Sequence, residues 1–238
     1  MHPRQMPTKE SLIKELIQGG YLKDPSLIEA FRKIDRADFV PDDFKNGAYL
    51  NEPLPIGFGQ TISQPLTVAF MLELLEPKTD EKILDVGAGS GWVSALLAYC
   101  VSSRNYAEHT QTNAENSPRQ SASSPRKSAL IIAVERIPEI CELGKQNISK
   151  YDFIEKGIVK FICADASRGY AKEAPYDKII AAAAAGEIPS AWKEELKIGG
   201  RLVMPLGNSV IVLDKISQNE FEQKEFFGFN FVPLIKGY

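Results

Sequence analysis

An aspartate followed by three closely spaced glycines is the stretch of this sequence best suited to hold a small polar ligand. Residues 83–91 read I-L-D-V-G-A-G-S-G, and Trp92 to Ala98 continues as an apolar helical run. A buried strand, a tight turn and a helix whose amino end faces a ligand are written this way. Glycine opens backbone angles closed to other residues and lets the main chain approach a bound group. The spacing of Gly87, Gly89 and Gly91 is G-x-G-x-G, not the G-x-G-x-x-G of dinucleotide sites that cradle a pyrophosphate. On these residues alone, nucleotide-type binding and a ligand-free structural turn both stand. A second acid, Glu135, ends the apolar stretch Ala129 to Val134. A carboxylate there commonly accepts hydrogen bonds from ribose hydroxyls; the alternative is a surface glutamate capping the next helix. The two histidines are His2, near the terminus, and His109, in a polar segment. A histidine base or a multi-histidine metal site is therefore not expected.

The elements that must position these acids follow from the apolar pattern. The 238 residues suit one α/β domain with additions. Strands are expected at 81–86, 129–134, 158–163 and 178–185, and helices at 92–100 and 137–150. This alternation predicts a doubly wound, mostly parallel sheet with the ligand across the carboxyl ends of its strands. Gly199-Gly200 marks a turn into a fifth strand. Val210 to Ile216 and Phe226 to Val232, joined by a polar turn at 217–220, supply a C-terminal antiparallel edge within residues 208–238.

Residues 1–55 read as an N-terminal helical addition. Leu12, Ile13, Leu16 and Ile17 recur at helical spacing until Gly19-Gly20, and Asp24-Pro25 opens a second helix as N-cap and first helical residue. These helices are either a packing layer or a wall of the cleft. Ser102 to Ser128 contains no Val, Ile, Leu, Phe or Met and reads as a flexible polar insertion. The five alanines at 181–185 fit either tight packing at a strand end or room left for a substrate.

A net charge of -3 argues against broad electrostatic binding to nucleic acid or anionic membrane. No apolar run has the length of a bilayer span, and the first ten residues lack the apolar core of a signal peptide. The three cysteines, Cys100, Cys141 and Cys163, show no metal-ligand spacing, which predicts buried free thiols in a reducing cytoplasm.

One further set of residues is more specific than the glycine loop. R-x-x-F-V-P (Arg36 to Pro41) is followed by Ala48-Tyr49 and then by P-L-P-I-G-F-G-Q-T-I-S-Q-P (Pro53 to Pro65). This order resembles the protein-L-isoaspartate O-methyltransferases from about Asp35 to Gly207, interrupted by the polar insertion. The D-V-G-A-G-S-G stretch likewise looks like the first motif of class I methyltransferases, which bind S-adenosylmethionine. The resemblance implies an active-site role for Ser63. It places Thr61 and Ile62 beside cofactor and peptide, and Gln60, Thr61, Ile62 and Ser63 on the peptide. It implies cofactor contacts from Asp85, Gly87, Ala88, Gly89, Gly91 and Glu135. Asp165 would lie near the adenine, flanked by Ala164 and Ala166 where the family usually has glycines. The residues themselves leave a second role open for Ser63, as N-cap of a helix beginning at Pro65.

What the resemblance implies in function is methylation of the free α-carboxylate of isoaspartyl residues in damaged proteins and peptides. That carboxylate is already ionised at neutral pH, so little acid–base chemistry is needed. The methyl ester would collapse unaided to a succinimide, whose hydrolysis returns some normal aspartate. The expected enzyme is a cytoplasmic monomer. The alternatives are a methyltransferase for another acceptor and a non-catalytic S-adenosylmethionine-binding module.

Overall fold

In the computed structural model, which describes residues 6–110, 130–229 and 231, the chain opens with helices α1 (Lys9–Gln18) and α2 (Pro25–Lys33). Each is started by a side chain that satisfies amides left over by helix geometry. Thr8 accepts from the Ser11 amide, and Asp24 from those of Ser26 and Leu27, with Pro25 at the first helical position. Leu12, Leu16, Leu27 and Phe31 turn inward, whereas Ile17 is exposed. Two 3-10 turns, Arg36–Phe39 and Asp42–Gly47, lead to the antiparallel hairpin β1 (Leu54–Gly57) and β2 (Gln60–Ile62). The chain continues through α3 (Pro65–Leu75), β3 (Lys82–Val86), α4 (Trp92–Thr110), β4 (Leu130–Glu135), α5 (Pro138–Ser149) and β5 (Val159–Cys163). It ends with β6 (Tyr176–Ala181), α6 (Ser190–Glu195), β7 (Leu196–Leu206), β8 (Ser209–Lys215) and β9 (Phe221–Phe227).

Seven strands form one sheet in the order β5-β4-β3-β6-β7-β8-β9. The first five of that order pair in parallel, and β8 and β9 add an antiparallel edge. Helices cover the sheet, so its central strands are apolar on both faces: Ile83, Leu84, Ile131, Ile132 and Ile179 are all inaccessible to solvent. The chain steps outward from β3 to β5 and then returns to β6 on the other side of β3. That reversal opens a crevice beyond the carboxyl ends of β3 and β6. The doubly wound sheet with its antiparallel edge is the expected architecture.

Local expectations differ in four places. The polar segment from Ser102 begins as helix, because α4 runs on to Thr110. Ser102 is accommodated by donating its hydroxyl back to the Ala98 carbonyl at 2.6 Å. The rest of that insertion lies outside the described residues. Gly199-Gly200 does not turn the chain into a strand but sits within β7, where the pairing slips between Tyr176↔Leu196 and Lys178↔Arg201. The last strand spans 221–227; it overlaps the expected 226–232 only at its end, and residues 230 and 232 of that expectation lie outside the described residues. Its side chains are largely exposed, as on a charged sheet edge, so its first half reads as loop. Finally, the cysteines are not all thiols. Cys141 and Cys163 form a disulfide, because α5 packs beside the end of β5 and brings together residues separated by 22 positions. Cys100 is buried outside that bond. The pairing removes the cysteine-based reason for expecting a reducing compartment. Among the described residues no helix is long and apolar enough to cross a membrane.

Candidate active site

The glycine loop is set by the strand before it and the helix behind it. The amides of Gly87 and Ala88 both donate to the Val134 carbonyl at the end of β4 (2.9 and 3.1 Å), and Gly91 donates to Ala88 at 2.9 Å. Gly87 lies at φ +73 with open space where a side chain would begin. Gly91 faces the other way: a Cβ there would lie 2.9 Å from the Ile148 side chain of α5. Helix α5 also touches the loop through Asn147, whose amide donates to the Ser90 carbonyl at 3.1 Å.

Asp85 is the penultimate residue of β3 and wholly buried. The Ser94 hydroxyl, in the first turn of α4, donates to its Oδ2 at 2.5 Å, while Oδ1 has no partner among the described residues. Burial pushes this carboxyl up to about 7; the Ser94 bond opposes the shift and the neighbouring Glu135 charge adds to it. Glu135 is buried rather than at the surface. Its Oε2 accepts from the Gly89 amide at 3.1 Å and its Oε1 from that of Ile137, ahead of α5, at 2.9 Å. It therefore ties the glycine loop to the start of α5. The loop after β5 lies alongside, with Ala164 donating to the Glu135 carbonyl at 3.0 Å. Asp165 accepts from the Ser167 amide at 2.8 Å, and the Ala166 carbonyl from the Trp192 indole at 2.8 Å.

The hairpin β1–β2 closes the crevice from above, with Ile56 3.6 Å from where a Cβ on Gly89 would stand. Thr61, Ile62 and Ser63 leave this hairpin into a cleft shared with Asp85, Gly87, Ala88, Gly89, Ser90, Trp92, Val93 and Ala182. A second hollow adjoins it, lined by Pro53, Thr61, Ser63, Gln64, Thr67, Ala182 and Phe231. Thr61, Ser63 and Ala182 belong to both. Ser63 does not cap α3. The cap position is Gln64, with no side-chain bond to the helix amides, and Pro65 opens the helix. Gln60 is half-buried, with its side-chain amide 3.5 Å from the Phe58 carbonyl, and does not line either hollow. The alanine run divides its tasks: Ala182 lines the cleft, while Ala185 is buried and hydrogen-bonds to Pro205.

Sequence reasoning missed Trp92, Thr67 and Phe231 as lining residues. Each sits in an apolar run that reads equally well as core. It also assigned no role to Arg36, whose only signal was its place in R-x-x-F-V-P.

The sequence model of the family described as Protein-L-isoaspartate(D-aspartate) O-methyltransferase matches residues 7–238. The protein-L-isoaspartate O-methyltransferase of Methanopyrus kandleri is 36% identical over 231 residues, covering 95% of this chain and 91% of that one. Protein-L-isoaspartate O-methyltransferase 2 of Archaeoglobus fulgidus is 40% identical over 211 residues, covering 87% and 83%. A Plasmodium falciparum structure described as a protein-L-isoaspartate O-methyltransferase in complex with S-adenosyl-L-homocysteine superimposes with a TM-score of 0.78 at 21% identity, covering 97% of this chain and 100% of that one. The fold is that of the class I methyltransferases, and the chain belongs to the protein-L-isoaspartate(D-aspartate) O-methyltransferase family.

Proposed function

We infer that this chain transfers a methyl group from S-adenosylmethionine to the free α-carboxylate of L-isoaspartyl residues in damaged proteins and peptides. The observation that carries the reading is the wall of Thr61, Ser63 and Ala182 common to the glycine-loop cleft and the adjoining hollow. Donor and acceptor bound on either side of that wall would meet at Ser63.

The cleft fits the cofactor. Open space lies over Gly87, and the bare, buried oxygen of Asp85 is an acceptor suited to a cationic ligand. Asp85, Gly87, Ala88 and Gly89 would hold it near the methyl end, with Gly91 fixing the turn against α5. Glu135 would take the ribose, and Ala164, Asp165 and Ala166 the adenine. Thr61 and Ile62 would touch both ligands, and Gln60 and Ser63 would complete the peptide side. When bound, the cofactor supplies an electrophilic methyl on a sulfonium.

The remaining chemistry asks little of proton transfer. An α-carboxylate is ionised at neutral pH. Ser63 would donate its hydroxyl hydrogen bond to that carboxylate and keep its own proton. The protein's contribution is then alignment and exclusion of water that would solvate the nucleophile. The overhanging hairpin and the apolar walls of Val93 and Ala182 suit that task.

Methyl transfer from labelled S-adenosylmethionine to one peptide in isoaspartyl and normal aspartyl forms is the test. Transfer to the isoaspartyl form alone is expected. Transfer to neither, with cofactor binding intact, overturns the reading in favour of another acceptor or a binding module. A cytoplasmic monomer stays part of the reading; light scattering and cell fractionation test those two points.

A further inference from the structure

Arg36 begins the first 3-10 turn and is only 2% exposed. Its guanidinium donates to four main-chain carbonyls. Nη1 reaches Ala48 at 2.6 Å and Leu50 at 3.3 Å; Nη2 reaches Glu52 at 3.0 Å and Ser63 at 3.1 Å. Its face lies over the Trp92 indole, 5.3 Å from the ring centroid, at the head of α4. One side chain thus joins the turn that leads into the hairpin, the Ser63 backbone and the helix that follows the glycine loop.

Such an arrangement is a poor way to gain stability alone. Burying a charge is expensive, and a well-packed apolar residue often does as well. Burial pushes the guanidinium down to about 10, and its Nε finds no partner among the described residues. What the planar fork offers is direction: it fixes several carbonyls at once in one plane, which a lysine ammonium does not. The same segment also holds the residues that follow the serine. The Asn51 side chain accepts from the Leu66 amide at 3.0 Å, and its carbonyl accepts from the Gln64 side chain at 2.9 Å.

We propose that Arg36 is a positioning residue for methyl transfer, which sets the Ser63 backbone, and so its hydroxyl, against the head of α4 and the cofactor cleft. The proposal rests on the reading of Ser63 as the group that orients the acceptor carboxylate. A misplacement of about 1 Å in such a group costs on the order of 10²-fold in rate.

The test compares Arg36→Lys and Arg36→Gln with Lys215→Met. Lys215 is the control because it too is a buried cation spent on carbonyls, those of Lys193, Glu194 and Leu196, and it lines neither hollow. Measured at equal fractions folded, Arg36→Lys and Arg36→Gln are expected to lose about 10²-fold in kcat while cofactor Kd moves less than about threefold. Amide exchange over residues 60–63 should quicken. Lys215→Met should lose stability but keep kcat within about twofold. A folded Arg36 variant with near-normal kcat, or one that falls no further than the control, overturns the proposal. If the unaltered protein itself fails on isoaspartyl peptide, the functional reading fails separately. Exchange over 60–63 then decides the positioning role, and no change there overturns it.

Discussion

The Ser94 hydroxyl donates to one oxygen of Asp85 at 2.5 Å, and the other oxygen of the same buried carboxylate has no partner among the described residues. A cation placed against that bare oxygen favours the ionised form. Cofactor binding should therefore release a proton wherever Asp85 is otherwise protonated. Affinity for S-adenosylmethionine is expected to rise with pH up to about 7 and then level. Folding stability without ligand moves the opposite way. The folded carboxyl titrates above its unfolded value of roughly 4, so its contribution is complete below that value and declines as pH rises through about 7. Calorimetry in buffers of different ionisation enthalpy measures the proton count. An Asp85→Asn variant should show weaker, pH-independent binding; an unchanged pH profile in that variant would assign the titration to another group.

Ser63→Ala separates orientation from capping. Loss of a hydrogen bond to a charged carboxylate is worth about 1.5–3 kcal/mol, so kcat should fall roughly 10- to 100-fold. Stability should stay within about 0.5 kcal/mol, because Gln64, not Ser63, holds the cap position of α3. A loss of about 1 kcal/mol with normal turnover would be the signature of a cap instead.

Gly144→Ala probes the support of the glycine loop from behind. A Cβ on Gly144 would stand 2.3 Å from the Phe161 ring and 2.7 Å from the Gly89 carbonyl. Overpacking of this kind costs about 1–3 kcal/mol. The push reaches Gly89, whose amide is held by Glu135, so cofactor affinity should drop as well. Chemical denaturation and ligand titration of one variant measure both; a normal Kd would mean that α5 and the loop adjust independently.

The disulfide ties α5 to β5 across 22 residues. Closing a loop of that size stabilises a protein by about 3 kcal/mol on chain-entropy grounds. A reductant should lower the melting temperature, and the Cys141→Ser, Cys163→Ser double variant should melt at the reduced value with no further response. Equal melting of oxidised and reduced protein would deny the bond a stabilising role.

The strands around Asp85 and Glu135 were legible because a parallel sheet buried on both faces spells itself as apolar runs, each closed by a turn or an acid. The N-terminus of α2 was legible to the residue, since Asp24-Pro25 carries its own local physics. Arg36 was not. Its partners are carbonyls 12 to 27 positions away, and no side-chain pattern encodes a main-chain acceptor. The disulfide was hidden for a similar reason: only the packing of α5 against β5 brings the two sulfurs together. Ser63 was legible as a residue but ambiguous in role, because a serine before proline reads as a cap until the backbone shows which residue holds that place. The early start of β9 was masked by F-E-Q-K-E-F-F, whose charges suit a sheet edge as well as a loop.

Helix α4 begins at Trp92 in the cleft, and its 19 residues carry the chain about 28 Å along its axis. The chain re-enters the described structure at Leu130, paired with Lys82 at the amino ends of β4 and β3, whereas the cleft opens beyond Val86 and Val134 at their carboxyl ends. Thr110 at the end of α4 and Leu130 at the start of β4 thus both lie away from the cleft, toward the blunt side of the sheet. For protein engineering these two positions mark a splice point: a fluorescent reporter, an immobilisation handle or the new termini of a circular permutant joined at Thr110 and Leu130 would be anchored at the end of the sheet opposite the cleft.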